Sequence, residues 1–142
     1  MPTPLDPQAI AERNLCSLVN GLAQHIADHV RERAATLGLT AAQATALREM
    51  SGPMTMRELA ERMTCEPSNA TFVIDKLEKQ GLVERHAHPT DRRAKRLVLT
   101  TDGSALRERL LDLLAQDSPL SGLSPQQQRS LQDLIEQAVV RP

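Results

Sequence analysis

The stretch Thr55-Met56-Arg57-Glu58-Leu59-Ala60-Glu61-Arg62-Met63-Thr64-Cys65-Glu66-Pro67-Ser68-Asn69-Ala70-Thr71-Phe72-Val73-Ile74-Asp75-Lys76-Leu77-Glu78-Lys79-Gln80-Gly81 decides the fold. It opens with a capping box, in which Thr55 and Glu58 are spaced to satisfy each other's free backbone donors. Met56, Leu59, Ala60 and Met63 fall at i, i+3, i+4 and i+7, one apolar face of a short helix. Thr64-Cys65-Glu66 interrupts that period, with Cys65 expected as a small apolar filler. Pro67 suits the first position of a second helix, where a missing N–H leaves nothing unpaired. Ala70, Val73, Ile74 and Leu77 give this helix its buried stripe, and Gly81 ends it. Two short helices joined by a tight turn make a helix-turn-helix, whose second helix has the form that lies in a DNA major groove.

The next residues extend the pattern. Leu82 to His86 and Arg96 to Thr100 read as short strands rich in branched side chains. The segment joining them, Ala87 to Lys95, is polar and charged. From Arg85 to Arg96 there are five Lys/Arg residues and one acid, Asp91. A charge run alone is usually a solvated loop. Placed directly after a helix-turn-helix, a hairpin wing of this kind supplies a second contact with DNA, at the backbone or the minor groove.

Together these residues resemble the MarR family of winged-helix transcription regulators. The resemblance is carried by Glu58-Leu59-Ala60, Asp75-Lys76-Leu77-Glu78-Lys79-Gln80-Gly81-Leu82-Val83, Asp91-Arg92-Arg93 and Leu99-Thr100-Thr101-Asp102-Gly103. Beyond them it rests on helix order and length. It implies a mainly α fold with a small β-hairpin wing, and a homodimer that binds a pseudo-palindromic operator until a small molecule or oxidant releases it. It also implies that Arg93 enters the minor groove while Asp91 holds its guanidinium. A narrow minor groove concentrates negative potential and suits arginine better than a strongly hydrated lysine. Arg92, Lys95 and Arg96 are then expected to contact phosphates.

On the second helix, Pro67, Ser68, Asn69, Thr71, Phe72 and Lys76 are the expected DNA-facing residues, with Lys79 beyond them. Helix-end N–H groups can hold a phosphate. Asn69 has the donor and acceptor to pair with adenine, and Thr71 a methyl to set against thymine. Phe72 departs from the family, where a basic residue often stands. Two readings are open for it: pressing on thymine methyls, or leaning into the protein. Lys76 and Lys79 also suit an ordinary helix surface.

The flanks supply the rest of a single 142-residue domain, with residues 1–38 and 101–142 as dimerisation helices around a winged helix-turn-helix at 39–100. Asp6-Pro7 starts a helix that runs to Leu37, with Leu15, Leu18, Val19, Leu22, Ile26 and Val30 recurring along it. Such a helix, ~45 Å long, outreaches what a small domain covers. Thr40 with Gln43 caps a second helix bearing Ala44, Leu47 and Met50, stopped by Gly52-Pro53. After the wing, Thr101 to about Gln116 carries Leu106, Leu110, Leu113 and Leu114. Ser124-Pro125 with Gln127 restarts a helix carrying Leu131, Leu134, Ile135 and Ala138. Burial of these stripes against a second copy around a two-fold axis is the simplest solution. With one Phe and no Tyr or Trp, the core must be aliphatic and methionine-rich. A net charge of −1 assigns any nucleic-acid affinity to the local cluster. No apolar run spans a bilayer and no signal-peptide pattern opens the chain, so the cytoplasm is the expected compartment.

The switch is less legible. Cys16 follows Leu15 near the start of the first helix, as the reactive cysteine does in the OhrR subgroup of peroxide sensors. That subgroup uses tyrosines near the sulfur, and this chain has none. Cys16 is therefore either a redox sensor or a buried, inert thiol. His25 and His29 stand at i, i+4, a metal-binding spacing that lacks a third ligand, and are expected as solvated residues beside the dimer seam. Neither a metal nor a cofactor is expected. A pocket for a small effector, if present, would draw on Ala23, Ile26, Met50 and Met54. No phosphate-binding loop, His-Glu-x-x-His helix or nucleophile elbow appears, which argues against an enzyme. The competing class is a winged-helix module that binds protein.

Overall fold

The computed structural model describes residues 6–91 and 93–140. Its order is α1 (Pro7–Thr36), α2 (Ala41–Glu49), α3 (Met56–Met63), α4 (Pro67–Lys79), β1 (Val83–Ala87), β2 (Lys95–Leu99), α5 (Thr101–Ala115) and α6 (Pro125–Val139). The expected mainly α fold with one hairpin is what forms. Three reciprocal capping boxes are present, Thr40 with Gln43, Thr55 with Glu58 and Ser124 with Gln127. Asp6 opens α1 by accepting the Gln8 N–H at 3.1 Å.

The strands are displaced by one residue from the expected spans, and capping is the reason. Gly81, at φ +75°, closes α4 in the left-handed conformation that glycine adopts without strain. Its N–H reaches the Glu78 carbonyl, and the Leu82 N–H reaches the Leu77 carbonyl, each at 3.0 Å. The Leu82 N–H is thus committed to the end of α4, while its carbonyl accepts the Thr100 N–H at 3.1 Å just beyond the ladder. At the other end Thr100 caps α5 through its hydroxyl, 3.0 Å from the Gly103 N–H. The antiparallel register runs from Val83 opposite Leu99 to Ala87 opposite Lys95. Met54 adds a single bridge to Leu97 on the far side of β2, its N–H donating at 3.2 Å and its carbonyl accepting at 2.7 Å.

The chain divides into two compact units, Ala27–Gln116 and Met1–Ile26 with Asp117–Pro142. In the first, the largest fully buried side chains are Leu47, Met50, Leu59, Ile74, Leu77, Leu97, Leu110 and Val83. This is the aromatic-free core that the composition requires. The α5 helix belongs to this unit, as does the end of α1. Arg107 of α5 donates from Nε to the Leu47 carbonyl at 2.8 Å and from Nη2 to that of Arg48 at 3.0 Å. These carbonyls stand at the end of α2, where the Leu47 carbonyl accepts only a long 3.3 Å bond from the Met50 N–H, so the guanidinium acts as a cap. Arg33 does the same for α5, reaching the Leu113 and Gln116 carbonyls at 3.1 Å. The ring of His29 lies 2.8 Å from the Leu114 carbonyl. His29 is therefore half-buried and structural, against the expectation of a solvated ring, because the end of α5 needs a donor there.

In the second unit α6 buries none of its side chains. Leu15, Leu18 and Val19 of α1 and Leu134, Ile135 and Val139 of α6 are 46 to 72% exposed. Of the three stripes read from the sequence as lacking a partner within the chain, those of α1 and α6 stay largely uncovered. The third, on α5, buries Leu110 and half-buries Leu106, Leu113 and Leu114, because α5 packs within the first unit. Among the described residues no helix is long and apolar enough to cross a membrane.

Candidate nucleic-acid interface

Helix α4 carries three stripes, set by 3.6 residues per turn. Ala70, Val73, Ile74 and Leu77 are buried and hold it against the core. Thr71, Asp75 and Glu78 follow one another at i, i+4 and i+7 along a second side, which meets the wing. Asn69, Phe72, Lys76 and Lys79 form the third, and all four are exposed. Pro67 stands at the first helical position, and Glu66 before it makes no side-chain cap hydrogen bond.

The second stripe is fastened to β1 by Arg85. Its Nη2 pairs with the Asp75 carboxylate, and its Nε lies 4.0 Å from Glu78 Oε2. That Nε is buried with no hydrogen-bond partner among the described residues, so the guanidinium is aimed at the two acids without saturating its donors there. Above this pair opens a concavity of about 590 Å³ lined from both elements, by Thr71, Arg85, Asp91, Arg93 and Lys95 and also by Thr55, Met56 and Arg57. The helix and the wing thus converge on one basic hollow.

Among the sequence-predicted residues, Thr71, Asp91, Arg93 and Lys95 meet there. Pro67, Ser68, Asn69, Phe72 and Lys76 are exposed on α4 outside it. Arg92 lies outside the described residues. The Thr71 hydroxyl donates to the Pro67 carbonyl at 2.9 Å and the residue is half-buried, so it faces the hollow with its polar group already engaged. Phe72 does not lean into the protein. It is 62% exposed, and Lys76 Nζ sits 4.5 Å from its ring centroid.

The wing tip departs from the implied Asp91–Arg93 side-chain contact. Asp91 Oδ1 accepts the backbone N–H of Arg93 at 3.0 Å, an Asx turn that shapes the tip. His88 Nδ1 accepts the backbone N–H groups of Thr90 and Asp91 at 3.2 and 3.1 Å. The Arg93 guanidinium is exposed and makes no hydrogen bond or ion pair with another described residue. Asp91 therefore positions the arginine through its backbone and leaves the charge open.

Arg57 and the pairing role of Arg85 were not singled out from sequence. Arg85 was visible only as one charge of the run. Arg57 was visible only as the residue inside the first capping box, where the helical period turns it away from Leu59 and Ala60. Of the four residues expected around an effector, Met50 lines a second cavity of about 280 Å³ with Pro53, Val98, Leu99, Ser104 and Arg107. Met54 is buried in its bridge to Leu97. Ala23 and Ile26 belong to the other unit. Cys16 is exposed, not buried among its apolar neighbours, and Cys65 is half-buried in the turn. Among the described residues no group of three His, Cys, Asp or Glu side chains is placed to hold a metal ion.

A helix-turn-helix followed by a basic two-stranded hairpin that shares a hollow with its second helix defines a winged-helix protein. The MarR family model matches residues 39–95 of the chain. It is 34% identical to the HTH-type transcriptional repressor MdtR of Bacillus subtilis (strain 168) over 95 residues, 66% of this chain. That match spans 61% of the repressor's length, so the chain covers about three-fifths of this relative. An organic hydroperoxide resistance transcriptional regulator of the same organism is 26% identical over 125 residues, covering 87% of this chain and 83% of the regulator. Among solved structures, a mutant of MarR from E. coli complexed with operator DNA superposes with a TM-score of 0.73 at 26% identity, over 97% of this chain and all of that one.

Proposed function

We propose that this chain is a DNA-binding transcriptional regulator, a cytoplasmic homodimer that represses from a pseudo-palindromic operator and is released by a small ligand. The observation that carries the reading is the shared hollow, where Arg57, Arg93 and Lys95 surround the wing-facing side of α4. A duplex offers one phosphate charge per ~1.7 Å of axis, and a cationic concavity flanked by an exposed helix face complements it. In this reading α4 lies in the major groove, Arg93 enters the adjacent minor groove, and Arg57, Arg92 and Lys95 hold phosphates. Asn69 and its neighbours on α4 meet the base edges. The E. coli structure solved with operator DNA supports the same arrangement by likeness of fold. Neither a metal nor a cofactor has a part in it, and no catalytic step is assigned.

The exposed apolar stripes of α1 and α6 support the homodimer, since uncovered leucine, isoleucine and valine side chains recur along each helix. The cavity beside Met50 supports a small effector, being close to the lower size of ligand pockets. Affinity selection from a randomised duplex library tests the reading. Enrichment of an inverted-repeat sequence, bound more weakly as salt rises, is the expected result. Salt-independent binding of a protein partner with no duplex retained would instead favour a protein-interaction module.

A second reading makes Cys16 the switch, supported by the likeness to an organic hydroperoxide resistance regulator and by the exposure of Cys16 in the single chain. Treatment with an organic hydroperoxide then abolishes duplex binding in the native chain but not in Cys16→Ser. Equal loss in both, or loss in neither, excludes it.

A further inference from the structure

Phe72 is the only aromatic residue in the chain, and it is not in the core. It stands in the middle of the open stripe of α4, between Asn69 one turn before it and Lys76 one turn after. A large apolar side chain 62% exposed on this helix leaves most of its surface uncovered in the folded chain. Its ring is also not left to swing freely. Lys76 Nζ lies 4.5 Å from the centroid, within cation–π range, so the ammonium holds one face of the ring while its edge remains open. On the neighbouring stripe Thr71 is half-buried with its hydroxyl donated to the Pro67 carbonyl, and Asp75 is paired with Arg85, so Phe72 is the most exposed large apolar group that α4 offers.

From this arrangement we infer that Phe72 is a specificity-determining residue that reads the C5-methyl group of a pyrimidine in the major groove. The inference rests on the DNA-binding reading above and adds the chemical group recognised. The major groove offers one purely apolar feature, the methyl carried by thymine, and 5-methylcytosine presents the same group at the same ring position. Lys76, beside the ring, is placed to reach a phosphate or a guanine edge next to that base. Asn69, one turn earlier, supplies the polar contact on the other side. A basic residue at position 72 would instead seek the O6 and N7 acceptors of guanine. The ring therefore shifts preference at that step from a G·C pair to a pair with a methylated pyrimidine. A further consequence is that methylation of cytosine at that step is read as a gain in affinity.

The test uses the full chain and duplexes enriched from a randomised library. In the best-enriched duplex each thymine is replaced singly by deoxyuridine, which removes the methyl and leaves every hydrogen-bonding group in place. Binding is followed by fluorescence anisotropy. At one thymine of the half-site the native chain is expected to lose about fourfold in affinity, the effect of one buried methyl. Phe72→Ala, which removes an exposed side chain, is expected to bind the thymine and deoxyuridine duplexes equally, and Phe72→Leu to keep part of the difference. Replacing the same pair by 5-methylcytosine–guanine and by cytosine–guanine separates the two sources of the methyl: the methylated duplex is expected to bind more tightly than the unmethylated one. If the native chain shows no thymine position sensitive to deoxyuridine, or if Phe72→Ala keeps the discrimination, the inference is overturned while DNA binding stands. If no duplex is enriched at all, the DNA-binding reading fails and the inference falls with it.

Discussion

A Cβ atom added at Gly103 would lie 2.0 Å from the Leu82 carbonyl oxygen. No side chain fits there, because the first turn of α5 rests directly on the chain leaving α4. The same contact region holds Thr100, whose hydroxyl reaches the Gly81 carbonyl at 2.7 Å. Gly103→Ala must push α5 away from the root of β1, and overpacking of this kind costs about 1–3 kcal/mol. Calorimetry should record a melting temperature lower by several degrees, whereas an unchanged value would mean that the two segments are not packed as described. Arg93 is the opposite case, an exposed charge with no partner among the described residues. Arg93→Ala should leave the melting temperature unaltered and lower duplex affinity about tenfold, in the range expected of a lost groove arginine. Arg57→Ala, removing a phosphate contact, should instead weaken all sequences alike and reduce the slope of log K against log salt by about one. Anisotropy titrations at several salt concentrations distinguish the two.

Among the elements, those with a local cause were the most legible. Each capping box, the Pro67 start and the Gly81 stop are short-range devices, and the buried stripe of α4 is a periodic one. The hairpin was legible as a pair of branched segments around a charged turn. Its boundaries were not, because Leu82 and Thr100 have strand-like side chains but give the Leu82 N–H and the Thr100 hydroxyl to helix ends. The Met54 bridge carries no sequence signal at all, since one residue has no period. The site was half legible in the same way. The basic turn could be counted, but the Arg85 pairing depends on how β1 lies along α4, and a charge count cannot separate a fastener from a free contact. The direction of Phe72 also had to come from the structure. One local anomaly yields a prediction about the turn between α3 and α4. Thr64 ends α3 at φ +55°, a left-handed conformation that β-branched residues tolerate poorly. Thr64→Gly should stabilise the protein by about 1 kcal/mol, read as a higher denaturation midpoint, and a lower midpoint would show that the threonine side chain has a compensating role.

For the molecule as a whole, the aliphatic core of residues 27–116 accounts for a winged-helix unit that stands with no aromatic side chain in its interior. The apolar stripes on α1 and α6 have no such account within one chain, and their exposure is the physical reason for proposing two copies. Leu18 is 72% exposed and Leu134 62%. Charging both, as in Leu18→Glu with Leu134→Glu, should leave the α3–α4 unit folded, yield single chains by light scattering, and weaken duplex binding severely. A double variant that still sedimented as a dimer would place the interface elsewhere. The central claim is that two subunits together present α4 and the arginine-bearing wing to one duplex. The most direct measurement is sedimentation velocity of a labelled, library-selected duplex with the full chain across a salt series. Two chains per duplex are predicted, with log K falling on log salt at a slope of about −5 or steeper, given three phosphate contacts in each half-site. One chain per duplex, or an affinity indifferent to salt, would contradict it.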